Sequence, residues 1–195
     1  MSTTPHTPRA VPAPTPLSPD QIAEIELGRR HARRIRRAAL VASMSGWTLA
    51  VFALFSLPMG LFGDWPSLGI GAALAGVAFN ELKGADRLRQ FDVRAPKRLA
   101  RGQLFLGIAI AGYAAWNWYA QIHNRSQSSF GDSDVDAMFN NYVETITPIV
   151  WGSIAIVGLL TCWLTAAYYA SKSKTVRIFR ERTPPWVIEV LAKAG

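Results

Sequence analysis

At 195 residues, half of them hydrophobic, the chain is long enough to bury a sizeable core, but its apolar residues stand in long uncharged runs, which excludes the ordinary soluble pattern. The net charge of +8 is carried by basic residues crowded at the ends of those runs, so anionic lipid headgroups, not nucleic acid, are the expected partner. The single cysteine, Cys162, excludes an intrachain disulfide and any CxxC or Cys/His metal site.

Residues Met1 to Leu17 carry Pro5, Pro8, Pro12, Pro14 and Pro16 among Thr, Ser and Ala. Such a segment lacks both the apolar residues and the backbone donors to pack, and reads as a disordered tail. Its PxxP spacings are short enough to arise by chance, so they read as tail before they read as a docking ligand. Ser18-Pro19-Asp20-Gln21 then has the form of a capping box, with proline at the first helical position. It opens a juxtamembrane helix over 18–37 that ends in the basic belt Arg29 to Arg37.

Ala38 to Phe62 is uncharged for 25 residues, longer than the roughly 20 needed to cross a bilayer core and too long for a signal peptide. Gly63 to Ser67 reads as a tight turn. A second, short span follows over about 65–82, and Lys83 to Arg101 is predicted to form a basic helical hairpin, with Asp92 capping its second helix. The third span covers about 102–122, with Trp116, Trp118 and Tyr119 as an aromatic belt. An acidic loop from His123 to Glu144 leads to the fourth span, about 145–171. The tail, 172–195, is basic and holds a short amphipathic helix beginning near Thr183, with Trp186, Val187, Val190 and Leu191 on its apolar face.

These elements give an all-α fold class, a membrane bundle of four transmembrane helices with a helical hairpin extension. With both ends in the cytoplasm, the inner segments hold seven, seven and six basic residues, and Arg125 alone lies outside. That asymmetry sets the orientation. The excess of arginine over lysine, with abundant alanine and proline, points to a bacterial inner membrane.

Few residues suggest chemistry. Asp132-Ser133-Asp134-Val135-Asp136 resembles the start of a calcium loop, but the glycine and glutamate that the template needs fall on Ala137 and Val143. Ser133 capping a helix with Asp136 is the simpler reading. Asn124-Arg125-Ser126 is a cheap sequon match. The three histidines lie in different topological compartments, and no HExxH, GxSxG or P-loop is present. No metal and no cofactor is expected.

One polar cluster remains. Asn80 and Glu81 close the second span, and Arg101 and Gln103 open the third, so antiparallel packing brings the four to one depth. The expected arrangement is a structural anchor in which Glu81 pairs with Arg101 or a neighbouring cation; a proton-handling or headgroup site is the alternative. The function expected is a non-catalytic membrane scaffold or accessory component, alone or as a homo-oligomer, with other membrane proteins as partners. Alternatives are a small oligomeric channel or carrier, and a lipid-handling enzyme with Glu81 near its site.

Overall fold

The structure, a computed structural model, describes residues 17–123 and 133–194. Of these, 92% are helical, and among them there is no strand. The proline-rich tail and the sequon lie outside the described residues, as do the side chains of the Ser133–Asp136 cap.

Helix α1 (Pro19–Leu61) starts as its sequence predicts. Gln21 N donates to Ser18 Oγ at 3.3 Å and Ser18 N donates to Gln21 Oε1 at 3.0 Å, completing the capping box. No proline stands between Pro19 and Pro58, so nothing interrupts the helix where the basic belt meets the apolar run. The two are one element of 43 residues.

The turn to α2 (Trp65–Arg89) is shorter than the Gly63–Ser67 composition suggests. Asp64 is the N-cap: its carboxylate accepts from Ser67 N at 3.4 Å and from the Ser67 hydroxyl, so the helix begins at Trp65. At its other end α2 closes in a Schellman motif, with Phe91 N bonded to Leu88 O and Asp92 N to Arg87 O, each at 3.0 Å. The motif needs a left-handed residue, normally glycine, and here it is Phe91, with φ 57°.

Asp92 does not cap α3 (Ala95–His123), because Arg94 is the residue before the helix. Asp92 instead shapes the turn, accepting from Arg94 N at 2.9 Å. Helix α4 (Ser133–Arg182) runs 50 residues through Pro148 without a break.

Helix α5 (Pro185–Lys193) begins two residues after Thr183, with Pro184 at its cap. It buries Val187 and Leu191, with Trp186, Ile188 and Ala192 half covered, whereas Val190 faces outward. Gly28 of α1 makes room for it, since a Cβ there would stand 3.0 Å from Val187 and 3.2 Å from Leu191. Arg36 completes the dock by donating to Leu191 O at 2.7 Å, satisfying a carbonyl at the end of α5.

The long helices pack as two antiparallel pairs. Along α1 and α2, Gly46 lies against Leu82, Leu57 against Gly71 and Gly60 against Leu68. Along α3 and α4, Gly107 lies against Cys162, Ile110 against Gly158, and Gln121 against Thr147. Helix α2 joins the pairs by packing on α3. At Gly60 the helices approach through backbone: a Cβ would stand 2.5 Å from Leu68 Cβ and 2.7 Å from its Cα and N. Gly60→Ala must therefore push the turn apart, and we expect a loss of about 1–3 kcal/mol, read as a lower melting temperature in detergent. An unchanged melting temperature would mean that the turn yields freely.

Two cores result. A small one, Ala53, Leu74, Val77, Leu106 and Cys162, ties the apolar halves together. The larger lies at the basic end, where Ile35, Leu88, Phe91, Leu99, Val176, Phe179, Val187 and Leu191 bring all five helices onto one centre. Outside the cores the apolar halves are covered with large exposed hydrophobic residues, among them Phe55, Phe79, Ile108, Ile156 and Trp163, each more than 60% exposed. Helices α1 and α4 are long and apolar enough to cross a membrane.

Candidate functional site

Where the apolar halves give way to the basic core, α2, α3 and α4 each contribute polar side chains. Glu81 on α2 is 0% exposed. Gln103 on α3 donates its Nε2 hydrogen to Glu81 Oε1 at 2.8 Å, and Tyr169 on α4 donates its hydroxyl to Glu81 Oε2 at 2.8 Å. All three side chains are buried, so the carboxyl group joins three helices through two neutral donors.

The expected Glu81–Arg101 pair does not form. Neither oxygen of Glu81 has an ion-pair partner among the described residues, and Arg101 is exposed. The reason is helical geometry. Arg101 and Gln103 share a depth but lie two residues apart, about 200° around the helix, so when Gln103 faces the core Arg101 faces away. Asn80 also turns from Glu81: its Oδ1 accepts from Arg98 Nε at 2.9 Å. Its Nδ2 is buried without a hydrogen-bond partner, over Gly102, where a Cβ would come within 2.5 Å of it.

On its outward side Arg101 enters a different arrangement. Arg87 from α2, Arg94 from the turn, Lys97, Arg98 and Arg101 from α3, and Lys174 and Arg177 from α4 line one cavity of about 580 Å³, with Val93 and Ser173. Seven cations meet there and no carboxylate lines it. Of these seven, only Arg177 has an acid within ion-pair distance among the described residues, Glu181 Oε1 at 3.8 Å, and both side chains of that pair are more than 60% exposed. The other acids nearby are engaged elsewhere: Asp86 with Arg89 at 2.8 Å, and Asp92 with the turn. Arg98 is steered by Asn80, which links the cavity wall to the buried side of the bundle.

The sequence reading found Asn80, Glu81, Arg101 and Gln103 but missed Tyr169 and the cavity. The signal for the cavity was present. Arg94, Lys97, Arg98 and Arg101 stand at i, i+3, i+4 and i+7, which places four cations on one helical face. Tyr169 carried no such signal; it lies 88 residues from its partner.

A second, apolar groove of about 450 Å³ lies between α2 and α3 toward the α1–α2 turn, walled by Trp65, Ile70, Tyr113 and Trp116. Among the described residues no group of three or more His, Cys, Asp or Glu is placed to hold a metal ion. Protein-family models, curated proteins and solved structures yield no match to this chain.

Proposed function

We propose that this chain is a four-span membrane protein with both termini in the cytoplasm, serving as a non-catalytic accessory component whose basic face meets anionic headgroups. The observation that carries the reading is the antiparallel register of the two helix pairs. Helix α2 runs antiparallel beside the apolar half of α1, from Gly46 against Leu82 to Gly60 against Leu68. If α1 crosses a bilayer, α2 crosses the same thickness, and the same holds for α3 beside α4. The many exposed hydrophobic residues of α1, α3 and α4, with Trp65 and Phe79 on α2, support this, since such a surface is costly in water and ordinary in lipid. The charge asymmetry, with Arg125 alone on the opposite side, supports the orientation.

An accessory role is favoured over lipid chemistry at Glu81 because that carboxyl is sealed: it has no exposed surface, and Gln103 and Tyr169 take both oxygens. Partners would meet the exposed helix faces within the membrane. The test is topological. In intact cells, a membrane-impermeant thiol reagent is expected to label Ser128→Cys and to reach Arg94→Cys only after the inner face is opened, with Cys162 replaced by Ala throughout. Labelling in the reverse order would overturn the orientation, and labelling of both from one side would exclude four crossings.

A further inference from the structure

We infer that the cavity between α2, α3 and α4 is a stoichiometric site for a ligand carrying two or more phosphoryl charges. Part of that inference, the placing of the cavity at headgroup depth, rests on the four-span reading; the charge and shape of the cavity do not.

Seven cations around about 580 Å³ are an unusual concentration of like charge. Most of these side chains reach water, but their anchor points are held together by the packing of three helices. Three lie on one face of α3 with Arg94 in the turn before it, two lie one turn apart on α4, and Arg87 comes from α2, so like charges converge there unless an anion fills the space. Glu181 stands outside the lining and faces Arg177 alone, and the Asp92 carboxylate is taken up by the turn. The lining itself therefore holds seven positive charges and no negative one.

The donors suit phosphoryl oxygens. Arg87, Arg94, Arg98, Arg101 and Arg177 offer planar forks for paired oxygens, while Lys97 and Lys174 add point charges on opposite walls. Arg98 is already oriented by Asn80, which lowers the ordering it must undergo on binding. The volume lies within the range of small-ligand sites and exceeds what one inorganic phosphate would fill. The ligand is thus a diphosphate or a pair of linked phosphates. It can come from two sources, the headgroup of a doubly anionic lipid or a soluble diphosphate, and both present the same chemistry to the cavity.

The full chain is purified in detergent and tested by two probes: inorganic pyrophosphate, by calorimetric titration, and cardiolipin in zwitterionic nanodiscs, by the lipid retained per protein. Two charge-matched triple variants are compared. Arg94→Gln/Lys97→Gln/Lys174→Gln removes exposed cations of the cavity, and Arg30→Gln/Arg34→Gln/Arg37→Gln removes exposed cations of α1 outside it. At about fivefold per cation, the cavity variant should bind on the order of 100-fold more weakly, and the α1 variant should bind nearly as the wild type does. Saturable pyrophosphate binding lost in the cavity variant identifies a soluble diphosphate as ligand. Retention of one cardiolipin per chain, lost in the same variant and without a pyrophosphate response, identifies a lipid headgroup. Equal weakening by both triples would overturn the proposal in favour of diffuse surface charge, and so would the absence of binding to either probe. Pyrophosphate binding in detergent does not depend on topology, so a reversed labelling pattern with cavity-dependent binding would leave this site standing while the orientation fell.

Discussion

Glu81→Leu is expected to destabilise the bundle more than any single change at the basic cavity. The substitution strands the Gln103 amide and the Tyr169 hydroxyl, both buried, and a buried donor left without a partner costs about 1–3 kcal/mol. Tyr169→Phe should cost a similar amount by leaving one carboxyl oxygen bare. Arg101→Gln should cost nothing measurable, since Arg101 is exposed and makes no bond to Glu81. The informative variant is Glu81→Leu/Gln103→Leu/Tyr169→Phe. A polar cluster replaced throughout by apolar groups of similar shape is often neutral or stabilising, so the triple should melt near the wild type and well above Glu81→Leu alone. Melting in detergent of the wild type and the four variants decides the matter. A triple variant no more stable than the single would show that the three side chains do not form one unit. A stable triple that fails to support function in cells would show that the cluster is kept for something other than stability.

At Phe91 the ordering of two substitutions should be the reverse of the usual one. Phe91 is 1% exposed, and its ring centroid lies 4.8 Å from that of Phe179 in the large core. Truncation to alanine removes that packing, at about 3–5 kcal/mol. Alanine also keeps a Cβ in the left-handed conformation, which costs about 1 kcal/mol relative to glycine. Phe91→Gly should therefore be less damaging than Phe91→Ala, although glycine is the worse residue inside a helix. Denaturation of the wild type and both variants gives the order. An alanine variant at least as stable as the glycine variant would mean that the turn relaxes out of the Schellman geometry once the ring is gone.

What the sequence disclosed, and what it did not, follows from the range of each signal. Capping at Ser18 is a contact over three residues, and it was legible. Asp64 is equally local, but the adjacent glycine and proline made it look like part of a longer turn. The boundary near Arg37 marks a change of charge and therefore of surroundings; it carries no breaker, so α1 crosses it as one helix. Glu81 and Gln103 lie 22 residues apart on neighbouring antiparallel helices, and their meeting followed from depth alone. Arg101 was misjudged because depth does not specify the azimuth around a helix. The left-handed Phe91 was invisible because nothing in its side chain favours that conformation, and the large core had to be assembled before its burial held it there.

The make-up of that core also sets a timetable for synthesis. Its members run from Ala32 on α1 to Leu191 on α5, so the first and last helices must be present together before it closes. The α1–α2 hairpin can form while α3 and α4 are still being made, and its basic segments must then wait without their partners. Only when Val187 and Leu191 have left the ribosome does Gly28 receive its neighbours and Arg36 its carbonyl. A chain interrupted after α4 would lack the cover of Val187 and Leu191, and the large core would stay open on the side where Gly28 and Arg36 wait.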